Sequence, residues 1–295
     1  MSRAPVVEEL AFGECPRWRD GRLWLSDIFA KRVVAVDPGG DAEVICEVEQ
    51  HPGGLGWLAD GRLLVVSMAD RRVLRLDPGG LVEHADLSGV CPGNCNDMVV
   101  DGAGNAYVGN TGYPYAYRGQ PVPIRRATSL VLVTPDGAVR PQAGTLMMPN
   151  GCAISADGTT LVVAQSHAAR LTAYAIEGDG SLQAERVFAA LPPGRDNPDG
   201  ICLDEQGAVW VADPHHRCCF RVLDGGQLTH VVDTAPWECV ACTLGGDDRR
   251  TLFLVLVPPR EEPGREHLVI GGPPVAPRGS RVEAIRVDVP GAGWP

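Results

Sequence analysis

Four oxygen-bearing side chains are the strongest chemical candidates in this sequence: Glu14, Asn96, Asn150 and Asp199. Each opens a similar segment, so a fold that arranges the segments side by side would bring the four together. Two carboxylates balance a divalent charge, and two amides add oxygens without adding repulsion. Such a set suits one hard cation, Ca2+ first. Mg2+, Mn2+ and Fe2+ also accept these donors, and Zn2+ takes carboxylate oxygen. None of the four is His or Cys, which argues against a dedicated structural zinc. Singly, each residue would be expected to cap a turn. Four in phase point to a shared site.

The segments themselves are an internal repeat. NDMVVDGAGNAYVGN from Asn96, NGCAISADGTTLVVAQ from Asn150 and DGICLDEQGAVWVAD from Asp199 align without gaps. In each, a turn glycine follows eight residues after the first position, at Gly104, Gly158 and Gly207. Looser copies are ECPRWRDGRLWLSD from Glu14, GLGWLADGRLLVVS from Gly54 and CVACTLGGDDRRTLFLVL from Cys239. Starts near 14, 54, 96, 150, 199 and 240 give the spacing of propeller blades. Each copy reads as strand, Asp/Gly turn, strand, with glycine supplying positive φ. Further strands follow in RVVAVDP, RVLRLDP, SLVLVTP and RLTAYAI. The sequence therefore predicts an all-β chain: a six-bladed β-propeller with four-stranded antiparallel blades around a central channel. Residues 1–295 are expected to form a single domain. The first residue of each inner strand would face the channel mouth.

Composition narrows the partners. Gly (36) and Pro (25) punctuate the chain too often for long helices, and 44% hydrophobic residues supply a core. The net charge of −11 comes without a basic stripe, so no nucleic-acid partner is expected. No apolar run reaches the roughly 20 residues of a membrane span. MSRAPVVEEL lacks the apolar stretch of a signal peptide, and ten cysteines form no paired zinc motif. The expectation is a cytoplasmic protein with reduced thiols. There is no G-x-S-x-G elbow and no H-E-x-x-H, which removes serine-hydrolase and zincin readings.

Other residues near the predicted mouth are substrate-binding candidates. His51 precedes the second repeat, and Trp237 precedes the sixth. Core packing is the competing role for Trp237. His167, His215 and His216 lie at strand ends, where loop roles are expected. Asp97 should turn away from Asn96 by strand alternation.

GECPRW, CNDMVVD, PNGCAISADGTTLVVA, PDGICLDEQGAVWVAD and ACTLGGDDRRTLF resemble the senescence-marker-protein/gluconolactonase/luciferin-regenerating-enzyme family, across nearly the whole chain and in the same order. The resemblance implies a six-bladed propeller acting on lactones and related esters. It makes Glu14, Asn150 and Asp199 metal ligands and Asn96 a metal or substrate contact. Asp199 matches the proposed proton acceptor. Sugar-lactone hydrolases of the family carry Arg where this chain has Asn94. The segment NTGYPYAYRGQPVPIRRATS, with Tyr113, Tyr115, Tyr117 and Arg118, lies where members carry a substrate lid. Asn94 and Tyr113 join Asn96, His51 and Trp237 as substrate-binding candidates, and a less polar or larger substrate is expected. The implied function is a metal-dependent hydrolase of a small-molecule lactone or ester, with Asp199 as general base or nucleophile. The alternatives are a non-hydrolytic condensing or isomerising enzyme, and a propeller that only binds a ligand.

Overall fold

Short β-forming runs separated by Asp/Gly turns build one repeating unit in the computed structural model. It describes residues 3–113, 126–142, 144–195, 197–259, 270–274, 276 and 279–293. Tyr115, Tyr117 and Arg118 lie outside the described residues. Among the described residues there is no helix, and the strands form six antiparallel sheets of four strands each.

Five blades are runs of consecutive strands. Blade 6 takes its outermost strand from the other end of the chain: Ala4–Leu10 pairs antiparallel with Ser280–Arg286. This junction closes the ring. The inner strands of blades 1 to 6 are Gly13–Arg19, Pro52–Trp57, Cys95–Val100, Pro149–Ile154, Ile201–Leu203 and Glu238–Gly245. Each packs on the inner strand of the next blade, and the sixth packs on the first. The architecture is the predicted six-bladed propeller.

The repeat glycines sit where the hairpin needs them. Gly21, Gly61, Gly104, Gly158 and Gly207 have φ of 76°, 87°, 87°, 72° and 75°. The amides of Gly61, Gly104, Gly158 and Gly207 close their turns, as Gly104 N–H donates to Asp101 O at 3.0 Å and Gly207 N–H to Asp204 O at 2.9 Å. An L side chain rarely adopts that backbone, so the spacing of these glycines sets where each inner strand reverses.

The core lies between blades. Leu25, Leu64, Val66, Met98 and Val255 pack in one cluster, and Val211, Phe220 and Leu171 in another. Burying each such side chain contributes roughly 1.5–3 kcal/mol. Blades 2 and 3 approach most tightly through glycine: a Cβ on Gly54 would lie 2.1 Å from Met98 N. The C-terminal segment packs on blades 5 and 6. Ala292 N–H donates to Leu203 O at 2.9 Å and Gly291 N–H to Arg249 O at 2.8 Å.

Candidate active site

Strand register shows which residues are equivalent from blade to blade. Gly13, Pro52, Cys95 and Pro149 pair with Asp27, Ser67, Asn110 and Gln165. The next residues, Glu14, Gly53, Asn96 and Asn150, therefore occupy one position of the repeat. Asp199 joins them, because its N–H donates to Ala212 O at 3.0 Å just ahead of the inner strand. Cys239, opposite Leu256, completes the ring. The second repeat starts at Gly53 rather than Gly54, which restores the eight-residue spacing to Gly61.

The ladder is irregular immediately after this position in blades 1 to 4, and in blade 6 beside Cys239. A bulge re-aims side chains that strict alternation would fix. Cys15, just after Glu14, has φ of 50°. Glu14, Asn96, Asn150 and Asp199 are each half-buried, whereas Cys15, Asp97, Gly151 and Gly200 beside them are buried. Blade 2 contributes no side chain at this level. A Cβ on Gly53 would lie 2.6 Å from Asn96 O. Cys239 is fully buried and joins the packing between blades 5 and 6.

Asn96 Nδ2 donates to Asn150 Oδ1 at 3.1 Å, and Asn150 Nδ2 donates to Ser166 Oγ at 3.1 Å. Ser166 Oγ in turn donates to Pro198 O at 2.8 Å, next to Asp199. One chain of hydrogen bonds thus links blades 3, 4 and 5. Glu14 Oε2 accepts from Cys15 N–H at 3.0 Å. Burial holds the Glu14 carboxyl well above the usual carboxylate range, and the nearby negative charge of Asp199 raises it further. The structure brings together Asn96 with Asn150 by a direct bond, and Glu14 with Asp199 by charge.

Among the described residues, no group of three or more His, Cys, Asp or Glu could hold a metal ion. The candidate set has two carboxylates, and its other donors are amides. Its chemistry fits an oxygen-seeking divalent cation, whose charge would offset the repulsion felt by Glu14.

Beneath the ring lies a buried ion pair that sequence reasoning passed over. Arg17 Nη2 donates to Asp97 Oδ1 at 2.8 Å. Asp97 is buried, whereas Asn96 beside it is half-buried. The missed signal was Arg17 itself, a charge inside an otherwise buried inner strand, which requires a partner.

The substrate-binding candidates separate. Asn94 is half-buried, and its carbonyl accepts from Thr111 N–H at 2.9 Å. Gly93 beside it packs on the backbone of Tyr113. Tyr113 is buried, lies parallel to His167 with centroids 6.2 Å apart, and has its hydroxyl 3.9 Å from Met148 Sδ. Asn94 and Tyr113 thus belong to one corner, between blades 3 and 4. His51 is fully buried: its Nδ1–H donates to Ile28 O at 3.0 Å, its ring packs edge-on to Phe29, and burial lowers its pKa. Trp237 is half-buried under the Arg281 guanidinium, 3.8 Å above its ring. Both are engaged in packing. Asp27 is structural as well, its Oδ1 accepting from Ala11 and Phe12 N–H at 2.9 Å each.

Residues 12–257 match the family model described as the SMP-30/gluconolactonase/LRE-like region. A 6-deoxy-6-sulfogluconolactonase of Pseudomonas putida is 27% identical, over 98% of this chain and 96% of its own. Regucalcin of Xenopus laevis is 24% identical over 84% of each chain. The solved structure of a calcium-binding protein, regucalcin, from Agrobacterium tumefaciens str. C58 superposes with a TM-score of 0.79 at 19% identity. That match covers 100% of this chain and 96% of that one.

Proposed function

The chain belongs to the SMP-30/gluconolactonase/LRE-like family, and from that membership we propose that it hydrolyses a lactone or related ester at the channel mouth. The observation that carries this reading is the pairing at one repeat level of two carboxylates, Glu14 and Asp199, with two linked amides, Asn96 and Asn150. Relatives named as a sulfogluconolactonase and a pentonolactonase support the reaction class. Relatives named regucalcin support Ca2+ as the first choice of cation.

Glu14, Asn96, Asn150 and Asp199 would hold the cation, which supplies Lewis acidity toward the substrate carbonyl and its developing oxyanion. Asp199 accepts the proton of the attacking water, or attacks the carbonyl itself. The Asn96–Asn150–Ser166 chain holds the amides in place, so their dipoles need no reorganisation during reaction. Asn94 and Tyr113 line the corner that receives the rest of the substrate. An amide there lacks the forked charge of Arg, which favours a substrate less polar than an aldonolactone. The same substitution favours, as the second reading, a non-hydrolytic reaction on this scaffold.

The test is a panel of lactones and esters, run on chelator-treated protein re-supplied with Ca2+, Mg2+, Mn2+, Zn2+ or Fe2+. Hydrolysis restored by one cation supports the proposal. Cation binding without turnover of any panel member would favour the second reading. Turnover unaffected by chelation would remove the metal from the mechanism.

A further inference from the structure

Four cysteines meet where blades 5 and 6 pack. Cys202 lies on the inner strand of blade 5, Cys239 and Cys242 on that of blade 6, and Cys219 in the strand Cys218–Val222 of blade 5. All are free thiols. Among the described residues no such group is arranged to hold a metal. Cys202 Sγ lies 3.8 Å from Cys242 Sγ. The strands that carry them are locked together: Gly200 N–H donates to Val240 O at 2.9 Å, and a Cβ on Gly200 would fall 2.7 Å from Ala241 Cα.

Access distinguishes the four. Cys219 and Cys239 are fully enclosed, and Cys242 is 1% exposed with its thiol 3.6 Å from Trp210 O. Cys202 is half-buried and lines the channel cavity beside Arg17, Cys152 and Thr243. A small oxidant entering the channel reaches Cys202 before the other three.

We propose that Cys202 and Cys242 form an oxidation-triggered cross-link between blades 5 and 6. A hydroperoxide transfers one oxygen to the Cys202 sulfur, giving a sulfenic acid and the corresponding alcohol, or water from hydrogen peroxide. The Cys242 sulfur then attacks the sulfenic sulfur. The S–S bond forms, the S–O bond breaks, and the hydroxyl leaves as water with the Cys242 proton. Two thiols lose two electrons and the peroxide gains them. The sulfurs close from 3.8 Å to about 2.05 Å, a movement within reach of small side-chain and strand adjustments. Cys202 follows Asp199 by three residues, so the bond ties the Asp199 segment to blade 6. This cross-link does not depend on the hydrolase reading.

The experiment treats the full chain with graded hydrogen peroxide, alkylates remaining thiols, and maps unreduced peptides by mass spectrometry. The expected result is a linked pair of peptides containing Cys202 and Cys242, lighter by two hydrogens and formed before any other pair. Dithiothreitol should reverse it. In Cys242→Ala the same treatment should leave dimedone-reactive sulfenic acid at Cys202. Linkage of Cys219 to Cys239 first, or full alkylation of both Cys202 and Cys242 after peroxide, would overturn the proposal. The wild-type map decides even if a variant fails to fold.

Discussion

Arg17 of blade 1 reaches past blade 2 to Asp97 of blade 3, with the two residues only 5% and 4% exposed. Arg17 Nη1 also donates to Pro16 O at 2.9 Å, and Nη2 donates to Met98 O. Asp97 accepts from Met98 N–H at 2.7 Å and from Cys152 N–H of blade 4 at 3.4 Å. One ion pair therefore ties three blades together beneath Glu14, Asn96 and Asn150. At the same level Gly53 and Gly54 let blade 2 close against the Asn96–Met98 backbone of blade 3.

Arg17→Met leaves Asp97 buried without its counter-charge. Stability should fall by about 3–5 kcal/mol. Denaturant unfolding measures the loss. The double variant Arg17→Met/Asp97→Asn should lose less than Arg17→Met alone, because no unpaired charge stays behind. An equal or larger loss in the double variant would mean that the ion pair is not what stabilises this level of the channel.

Asp199→Asn and Glu14→Gln each remove one of two like charges at the mouth. Lactone or ester turnover should fall on the order of 10²–10⁴-fold for Asp199→Asn. The melting temperature of the cation-free protein should hold or rise, since repulsion at Glu14 is relieved. Unchanged kcat/KM in Asp199→Asn would refute its assigned role.

The raised pKa of Glu14 gives a pH dependence of definite sign. Its folded value lies above its unfolded value of about 4.3, so the folded state holds the proton more tightly. The stability that this provides is full below the unfolded pKa and is lost as pH rises through the folded one. Cation-free protein should therefore show a declining stability in that window, and Glu14→Gln should flatten it. A divalent cation should bind more tightly as pH rises and release protons. Calorimetry in buffers of different ionisation enthalpy reads both effects.

Gly54→Ala and Gly61→Ala separate close packing from turn geometry. A Cβ at Gly54 strikes the Met98 backbone, which cannot rotate away, whereas nothing lies within 4 Å of one at Gly61. The Gly61 variant should lose roughly 1–2 kcal/mol through its positive φ alone. The Gly54 variant should lose more, and its loss should appear as weakened amide-exchange protection in the inner strand of blade 3.

The sequence by itself determined the number of blades, the hairpin turns and which oxygen-bearing side chains open the repeats. These follow from local chemistry repeated in phase: a turn glycine with positive φ in successive blades, with a polar residue eight positions before it at Asn96, Asn150 and Asp199 and seven before it at Glu14. The family resemblance rested on the same motifs, and the matched family model bears it out. Tertiary structure decided what depends on partners far apart in the chain. The repeat suggested Gly54 as the second blade's first residue, and only strand register moved it to Gly53. His51 and Trp237 were candidates by their place in the repeat alone, and their contacts with Ile28, Phe29 and Arg281 became visible only in the fold. The pairing of Arg17 with Asp97, 80 residues apart, and the contact of Cys202 with Cys242 were invisible for the same reason. Periodicity records which face of its own blade a residue takes. Which side chain meets it across a channel or a blade junction is fixed only when the ring closes.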